Sequence, residues 1–423
     1  MSHSSLRRRL LLAGGLVPWL PRARATATQR AVIVGGGWGG LTLAAELRRL
    51  APQIEVVLID RQPAFGSFIG SNRWLVDAAS GVTQVRHAYA PIAAARGYRF
   101  VQATAQAVEV AAQRLHTTAG VLAYDWLILS PGIRENYAAW GLHDTFAVDR
   151  LKSRFSGAMQ HPDELPALKA RLARFQGGVL LMNLPPLPYR CPPAPYERAL
   201  CLAWWLKRQR LPGKLVIIDP NPLMGAFRQV LLTQYADQVS YLDHTSVQRV
   251  DPEKRVLTTE IEDIAFDEAI LSPPQQAADL IWDSGLIRRT PDGQADGWGA
   301  QDASDFHSAL AEHIYIIGDA AGVASPLFGH YPKTGHTANR QALIVARTIA
   351  AQAGAAALPA MLPASVCHVQ TGIEPPEAVR IETDYRRRGD GFLMQNVRQT
   401  RDEAGPEAAE IAAQALAQEF LLP

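Results

Sequence analysis

The sequence predicts an α/β fold with two Rossmann-like, dinucleotide-binding-type domains followed by a C-terminal region. Two segments, at residues 30–60 and 178–219, each predict a strand, a loop, a helix and a second strand that ends on an aspartate, which is the β-α-β pattern of a parallel sheet. A late apolar strand at residues 314–317 runs into a Gly-Asp turn, and a long helical segment follows at 337–353. With 423 residues, the chain is long enough for two or three domains with full cores.

The first β-α-β segment carries a glycine pattern between its strand and its helix. Gly35, Gly37 and Gly40 form G-x-G-x-x-G, in which the glycines permit a tight turn, close approach of a pyrophosphate, and close packing of helix on strand. The free N–H groups and the dipole at the helix start favour phosphate. Asp60 ends the next strand, where a carboxylate binds a ribose diol. The predicted dinucleotide site here comprises Gly35, Gly36, Gly37, Gly40, Asp60 and Arg61.

The far end of the chain favours FAD as this dinucleotide. Gly318-Asp319, after a predicted strand, is similar to the second motif of flavoproteins, in which an aspartate binds the ribityl chain. A buried-type strand at residues 124–129 ends on a turn that contains Gly132. Lys333 precedes the long helix, and a positive charge there would stabilise the reduced flavin. We therefore predict that Gly132, Gly318, Asp319 and Lys333 also contact FAD.

The second β-α-β segment lacks the features of a dinucleotide site. Its loop, residues 184–193, contains no glycine and is rich in proline, which has no N–H to donate and does not adopt positive φ. A loop that merely caps the sheet is the alternative interpretation, and it also denies NAD(P)H a site. We divide the chain accordingly into an FAD-binding domain of the disulfide-reductase type (28–145 and 276–345), a second Rossmann-like domain without the NAD(P) motif (146–275) and a C-terminal interface region (346–423).

Cys191 lies in the proline-rich loop, beside Arg190 and just before a predicted helix. A thiol near a helix N-terminus and a cation is expected to have a lowered pKa, which favours a redox role over that of an inert cysteine. Cys201 and Cys367 are the other cysteines, and no Cys/His spacing indicates a metal site.

Several motifs together resemble the flavoprotein subunit of flavocytochrome c sulfide dehydrogenase, with sulfide:quinone oxidoreductases as more distant relatives. They are R-C-P-P-A-P-Y-E-R-A (190–199), S-P-P-Q (272–275), P-K-T-G-H-T-A-N (332–339), Ser71-Asn72, Tyr124-Asp125 and P-G-I (131–133). The resemblance implies a periplasmic FAD protein that oxidises sulfide through a disulfide above the flavin and passes electrons to a c-type cytochrome subunit or soluble cytochrome c.

Two positions depart from the family pattern. The second redox cysteine of the family corresponds to Ala321, so the family's disulfide cannot form, and the cysteine that attaches the flavin corresponds to Phe68, so FAD is expected to be held without a covalent bond. Cys201 or Cys367 remains an alternative partner for Cys191, although the family often has a structural cysteine near Cys367. We predict catalytic roles for Cys191, for Lys333 and for His336, the last as a proton relay.

The first 27 residues contain five arginines and no acidic residue. An apolar stretch follows the first three arginines, and A-x-A cleavage patterns end the segment. The paired arginines favour twin-arginine export to the periplasm over a Sec signal or an uncleaved anchor. Without this segment, 37 basic and 40 acidic residues remain, which gives no electrostatic footprint for nucleic acid.

Three functions are compatible with the sequence. The leading hypothesis is an exported FAD-dependent oxidoreductase that oxidises sulfide or a related small sulfur compound. A flavoprotein dehydrogenase with a non-sulfide substrate and a non-catalytic flavin electron-transfer protein are the alternatives, because Ala321 replaces the second redox cysteine.

Overall fold

The structure is a computed structural model that describes residues 28–77, 86–402 and 405–421. The export signal predicted at residues 1–27 lies outside this range. Among the described residues, no helix combines the length and apolar character needed to cross a membrane.

The first part of the chain supplies most of a parallel sheet and its first helix. Its elements are β1 (Arg30–Val34), α1 (Trp38–Leu50), β2 (Glu55–Asp60), β3 (Ala64–Gly66), α2 (Ser71–Val76), β4 (Arg86–Ala88), α3 (Tyr89–Arg96), β5 (Arg99–Gln102), β6 (Ala105–Glu109), β7 (Arg114–Thr117), β8 (Gly120–Ala123), β9 (Trp126–Leu129) and β10 (Ile133–Glu135).

The middle of the chain builds a second sheet. Its elements are α4 (Thr145–Phe155), α5 (Leu165–Arg174), β11 (Gly178–Asn183), α6 (Ala194–Gln209), β12 (Gly213–Ile218), α7 (Gly225–Gln229), β13 (Val239–Leu242), β14 (Val247–Asp251), β15 (Val256–Thr259), β16 (Asp263–Ala265) and β17 (Glu268–Ile270). Strands β13, β12, β11 and β17 form a parallel four-stranded sheet in this order.

The chain then returns to the first sheet and ends in an antiparallel unit. The returning elements are β18 (Gln275–Ala277), α8 (Asp279–Asp283), β19 (Ile287–Arg289), β20 (Ala295–Gly299), β21 (Ile314–Ile316), β22 (Val323–Ser325), β23 (Gly329–His330) and α9 (Gly335–Gln352). The C-terminal elements are β24 (Ser365–Ile373), β25 (Pro376–Arg387), β26 (Leu393–Arg401) and α10 (Ala408–Leu421).

The first sheet has the strand order β21-β9-β1-β2-β5, and all its pairs are parallel. Its central strands are apolar and fully buried, as expected for a parallel sheet covered on both faces. Since parallel strands point the same way, the loops after β1, β2, β9 and β21 meet at one edge. Ligands of such sheets bind outside the carboxyl ends of the strands.

The predicted α/β fold with two Rossmann-like units is confirmed. The division into domains remains a prediction, although α9 runs on to Gln352, so the boundary drawn at 345/346 falls inside a helix and moves to its end. The C-terminal region, which had no predicted structure, is a three-stranded antiparallel sheet, β24-β25-β26, with α10 packed beside it.

Candidate functional site

A cleft of about 500 Å³ opens at the carboxyl edge of the first sheet. Its walls come from the turns that follow the strands of both β-α-β units. The lining residues include Gly35, Gly36, Gly37, Asp60, Arg61, Phe68, Gly132, Cys191, Gly318, Asp319, Lys333 and Gly335. All the residues predicted to bind the cofactor except Gly40 therefore line one cavity.

The glycines after β1 each meet a different steric demand. Gly35 has φ of +99°, and a Cβ there would lie 2.2 Å from the carbonyl oxygen of Ser130. A Cβ on Gly40 would lie 1.9 Å from the carbonyl oxygen of Gly35, so this glycine allows α1 to pack on the turn without lining the cleft. A Cβ on Gly37 would meet no described atom within 4 Å, because the backbone there faces the cleft.

The start of α1 is left open toward the cleft. Gly37 is the N-cap residue, no side chain caps the helix, and its first turn contains no acidic residue. The first N–H groups of a helix have no partner within the helix, and the dipole adds partial positive charge. The turn therefore presents bare backbone donors to an anion.

Asp60 closes the other side of this turn. Its Oδ2 accepts a hydrogen bond of 2.7 Å from Gly36 N, and its Oδ1 accepts one of 2.8 Å from Gln62 N. The carboxylate is thus oriented at the end of β2, next to Arg61 on the cleft wall.

Asp319 is paired with an arginine that the sequence analysis did not assign to the site. Arg190 Nε donates to Asp319 Oδ2 at 2.6 Å, and its Nη1 donates to the carbonyls of Met159 and Gln160. A Cβ on Gly132, which has φ of +76°, would lie 2.9 Å from Arg190 Nη2, so a glycine leaves room for the guanidinium. Arg190 therefore joins the second domain to the cofactor cleft.

Cys191 lies on the cleft wall in the left-handed backbone region, with φ of +51°. Its N–H donates to the carbonyl of Lys333 at 2.8 Å, which holds the loop against the start of α9. The lowered pKa expected for this thiol is not found. Burial, followed by the nearby Cys367 and Glu197, raises its pKa, and this outweighs the nearby helix start.

The two remaining cysteines differ in their relation to Cys191. Cys201 is 2% exposed and packs in the hydrophobic core of the second domain. Cys367 on β24 is close enough to Cys191 for their charges to interact. Its thiol forms a hydrogen bond with Thr334, the residue after Lys333, whose carbonyl accepts the bond from Cys191 N. Of the two alternatives that the sequence left open, Cys367 is thus the thiol that the fold brings near Cys191.

Glu197, on the first turn of α6, is close enough to Cys191 and Cys367 for its charge to act on both, and it was not assigned a role from sequence. Its Oε1 accepts a hydrogen bond of 2.8 Å from Gln370 N on β24, and burial raises its pKa to about 7. Its charge raises the pKa of both Cys191 and Cys367. The R-C-P-P-A-P-Y-E-R block contained the signal, since it places this carboxylate six residues after Cys191 on a short helical turn.

Known proteins match the chain over most of its length. The family model "Sulfide dehydrogenase [flavocytochrome c] flavoprotein chain, central" matches residues 166–271, and a model for NAD(P)-binding Rossmann-like domains matches residues 33–102. The sulfide-quinone reductase of Aquifex aeolicus is 22% identical over 337 residues, which cover 75% of each chain. The flavoprotein chain of a flavocytochrome c sulfide dehydrogenase from Chlorobaculum thiosulfatiphilum is 50% identical over 38 residues, or 9% of this chain and 79% of that one.

The chain is a flavoprotein related to the sulfide:quinone reductases and the flavocytochrome c sulfide dehydrogenases. The X-ray structure of the sulfide:quinone oxidoreductase from Aquifex aeolicus has the same fold, with a TM-score of 0.72 at 18% identity over 93% of this chain and 91% of that one. The resemblance inferred from the motifs is thereby confirmed.

The cleft fits a flavin dinucleotide in this flavoprotein. The open turn at Gly37 suits a pyrophosphate, and Asp60 stands where a ribose would lie. Aromatic side chains build the adjoining wall: Trp38 and Phe65 both line the cleft and meet edge to face at 5.2 Å between ring centroids. Phe420 of α10, which is fully buried, completes the group at 5.7 and 5.6 Å.

Lys333 lines the cleft, but its amine points to the protein. The Nζ atom donates to the carbonyls of Asp319 and Ala321, both at 2.8 Å, and lies 3.6 Å from the centroid of the Trp298 ring. Burial lowers its pKa to about 7. The amine thus links the Asp319 turn to the start of α9, and its effect on a bound flavin stays a prediction.

His336 is not among the residues that line the cleft, although Thr334 and Gly335 are, and its role as a proton relay stays a prediction. Its Nδ1 accepts a hydrogen bond of 2.7 Å from Val366 N, and Nε2 lies 3.1 Å from Arg340 Nε. Burial and Arg340 lower its pKa. The histidine ties α9 to the C-terminal sheet.

The corresponding turn of the second domain is filled by protein groups. Asp219, at the end of β12, is fully buried, and its Oδ2 accepts hydrogen bonds from the hydroxyls of Tyr196 and Tyr241. Its Oδ1 accepts two bonds of 2.8 Å from Asn221, through N and Nδ2. Asn221 also holds the proline-rich loop, since its Oδ1 accepts from Leu187 N.

Proposed function

We propose that this protein is an FAD-dependent oxidoreductase that oxidises sulfide or a related small sulfur compound at Cys191 and passes electrons to a c-type cytochrome, either a subunit or a soluble protein. The observation that carries the proposal is the position of Cys191 on the wall of the cleft that holds the dinucleotide turn at Gly35–Gly37. The names of the relatives, which act on sulfide, support the substrate class.

FAD is held without a covalent bond in this proposal. The chain has three cysteines, and of these Cys191 alone lines the cleft, while Phe68 occupies the wall near the Arg190 guanidinium. When bound, FAD supplies the acceptor for an electron pair.

The sulfur chemistry follows from the two neighbouring thiols. In the oxidised protein, Cys191 and Cys367 form a disulfide, which hydrosulfide attacks: one sulfur–sulfur bond forms to give a cysteine persulfide, the original bond breaks, and the other cysteine leaves as a thiolate. Glu197, whose charge acts on both thiols, accepts the persulfide proton and passes it to the leaving thiolate. The pKa of both thiols is raised, so a buried thiolate is costly here. The negative charge that the exchange creates is therefore shared between the cysteine and the neighbouring Glu197 carboxylate.

NAD(P)H does not deliver electrons in this proposal. The second turn offers prolines in place of backbone donors, and Asp219 already accepts four hydrogen bonds from protein groups. Electrons then leave toward a one-electron acceptor, for which a c-type cytochrome is proposed on the motif resemblance. The same resemblance and the arginine-rich first 27 residues support twin-arginine export to the periplasm.

Anaerobic addition of sulfide to the purified flavoprotein tests the proposal. We expect sulfide to bleach the flavin absorbance in a stopped-flow instrument, NADPH to leave it unchanged, and Cys191→Ala to abolish the bleaching. Cys367→Ala should reduce it strongly, whereas the matched variant Cys201→Ala should keep it. Sulfide bleaching that persists in Cys191→Ala would contradict the proposed sulfur step.

Ala321 favours a second candidate, because it removes the cysteine pair on which the family's sulfide chemistry depends. In that case a non-sulfide substrate, such as thiosulfate or an organic thiol, reduces the flavin while sulfide does not. If neither sulfide nor the non-sulfide substrate reduces the flavin, but the flavin exchanges electrons rapidly with reduced cytochrome c, the protein would instead be an electron-transfer protein.

A further inference from the structure

A buried carboxyl group lies behind the Cys191 loop, outside the chemistry described so far. Glu135 ends β10, and its side chain is 1% exposed. Its Oε2 accepts a hydrogen bond of 2.9 Å from the hydroxyl of Tyr137. Its Oε1 has no hydrogen-bond partner among the described residues, which is costly for a carboxylate and much less so for a neutral carboxyl group.

Gln275 faces Glu135 directly across the antiparallel pair of β10 and β18. Its Oε1 accepts a hydrogen bond of 2.8 Å from Arg190 N, while its Nε2 is left without a partner in the part of the chain that the structure describes. Opposed residues of an antiparallel pair have side chains on the same face. An unpaired acceptor and an unpaired donor therefore share the buried space next to the amide that precedes Cys191.

Lys152 connects this space with solvent and with the cleft. Its Nζ lies 3.9 Å from Glu135 Oε2 and donates to Gln160 Oε1 at 3.1 Å, and Gln160 lines the cleft. The lysine side chain is 30% exposed, so its amine lies between solvent and the buried carboxyl group.

The groups that face Glu135 set its protonation. Burial and the charge of Glu164 raise its pKa, whereas Lys152, the Tyr137 hydrogen bond and Arg190 lower it, and the result is a pKa of about 7. The carboxyl group is therefore poised to respond when the charge of its surroundings changes.

Arg190 couples this carboxyl group to the cleft. Its guanidinium is held at 2.6 Å by Asp319 on the cleft side, and its positive charge also acts on Glu135. Negative charge that arrives in the cleft offsets the charge of Arg190, so the ionised form of Glu135 becomes less favourable. By linkage, proton uptake at Glu135 must favour the added negative charge by the same factor.

We propose that Glu135 is a redox-linked proton site: it takes up one proton from solvent by way of Lys152 when the flavin in the cleft is reduced, and returns it on reoxidation. No electron passes through the carboxyl group, and the electrons come from the sulfur compound or any other reductant of the flavin. The inference rests on the proposed function only in that the cleft holds FAD.

The midpoint potential of the bound flavin, measured electrochemically between about pH 6 and 9, tests the proposal without any sulfur substrate. In the wild type, uptake of one additional proton makes reduction up to tenfold less favourable for each unit by which the pH rises. The midpoint potential then falls by about 30 mV more per pH unit for a two-electron couple. We expect Glu135→Gln to lose this increment. The control Glu268→Gln should keep it, since Glu268 is another carboxylate with a pKa raised by burial, but lies outside the cleft lining and bonds to Ala269 N.

Infrared difference spectroscopy of the wild type provides a second measurement that needs no variant to fold. Reduction should produce a protonated-carboxyl band near neutral pH, and Glu135→Gln should lack it. A wild-type slope that equals that of Glu135→Gln, together with an absent band, would overturn the proposal while leaving sulfide oxidation intact. If sulfide fails to reduce the flavin but the slope and band are present, the sulfur proposal fails and this one stands; a protein that binds no flavin overturns both.

Discussion

The two β-α-β units of this chain share one architecture and differ in where their polar groups point. In the first, the turn at Gly37 leaves its backbone open, α1 has no side-chain cap, and Asp60 faces the cleft. In the second, the turn is built from prolines and Asp219 is fully buried with four hydrogen bonds from Tyr196, Tyr241 and Asn221. The comparison teaches how a fold can be kept while its ligand site is lost. The turn no longer offers backbone N–H donors, and the hydrogen bonds of the aspartate are all made with the protein itself.

Replacing the two aspartates tests this contrast with the largest expected effect. Asp219→Ala leaves several buried donors unpaired, at about 1–3 kcal/mol each, so we expect it to lower the free energy of unfolding by on the order of 4 kcal/mol. Flavin affinity of the folded protein should remain unchanged. Urea denaturation and flavin titration of the same samples measure both quantities.

The matched variant Asp60→Ala should show the opposite pattern. Its carboxylate accepts two backbone N–H groups beside the cleft, where water can replace it, so we expect a loss of stability of only about 1 kcal/mol. Flavin affinity should fall about tenfold, or about 1.4 kcal/mol. Equal effects of both variants on stability and on flavin binding would contradict the contrast.

Glu135 lies on β10, the strand before the second domain, which pairs with β18, the strand after it, and it gives a pH-dependent prediction. Because burial raises its pKa in the folded protein to about 7 from an ordinary value of 4.5, the folded state holds a proton that the unfolded chain releases. This contribution to stability is fully present below about pH 4.5, is lost as the pH rises toward 7, and then levels off. The total corresponds to about 3 kcal/mol.

Denaturation curves recorded across this pH window in wild type and Glu135→Gln measure the effect. The amide does not titrate, so the variant should lack this part of the decline, and its curve should lie closer to horizontal between pH 4.5 and 7. A wild-type profile that matches the variant's would mean that the carboxyl group is ionised in the folded state well below neutral pH.

Gly37→Val tests the open half of the comparison. A Cβ at this position would meet no described atom within 4 Å, so we expect little change in stability, but the side chain occupies the approach of the pyrophosphate to the backbone. The dissociation constant of the flavin should increase at least about a hundredfold, which is a loss of about 2.7 kcal/mol of binding free energy. Gly389→Val is the control, since that glycine also has no described atom within 4 Å of a Cβ and lies outside the cleft lining; fluorescence titration of the flavin compares the two.

The sequence predicted the parts of the fold whose signals are local. The β-α-β segment predicted at residues 30–60 forms β1, α1 and β2 within these bounds, because apolar runs flanked by glycine specify it. The three-stranded C-terminal sheet was missed. Strands β25 and β26 are long and mostly polar, and few of their residues are buried, so no apolar run marks them.

The candidate site was predictable where a motif specifies the backbone and unpredictable where a side chain reaches across domains. Arg190 binds Asp319 from 129 positions away, and Cys367 reaches the Cys191 loop through Thr334. The raised pKa of Cys191 was missed for the same reason, since burial and the neighbouring carboxylate come from distant segments. Sequence spacing shows which groups stand on one element, whereas these contacts depend on how elements pack.

The C-terminal helix gives the prediction with the smallest expected effect on flavin binding. Phe420 is fully buried and contacts Trp38 and Phe65 edge to face, and both of these line the cleft. Phe420 does not line the cleft itself, so it acts by holding the aromatic wall in position. We expect Phe420→Ala to weaken flavin binding by about three- to tenfold, or about 1 kcal/mol, measured by flavin fluorescence on dilution.

The reason for this modest value is that truncation leaves a cavity into which Trp38 can tilt, while the backbone donors at Gly37 remain in place. The control Ile411→Ala, on the same helix but 59% exposed, should leave affinity unchanged, which separates the aromatic contact from general loosening of α10. If flavin affinity is unchanged in Phe420→Ala, the glycine turn after β1 is rigid without support from the aromatic side chains. The difference between the two β-α-β units would then lie in their turns alone, because the glycine turn would bind the dinucleotide without help from the C-terminal region.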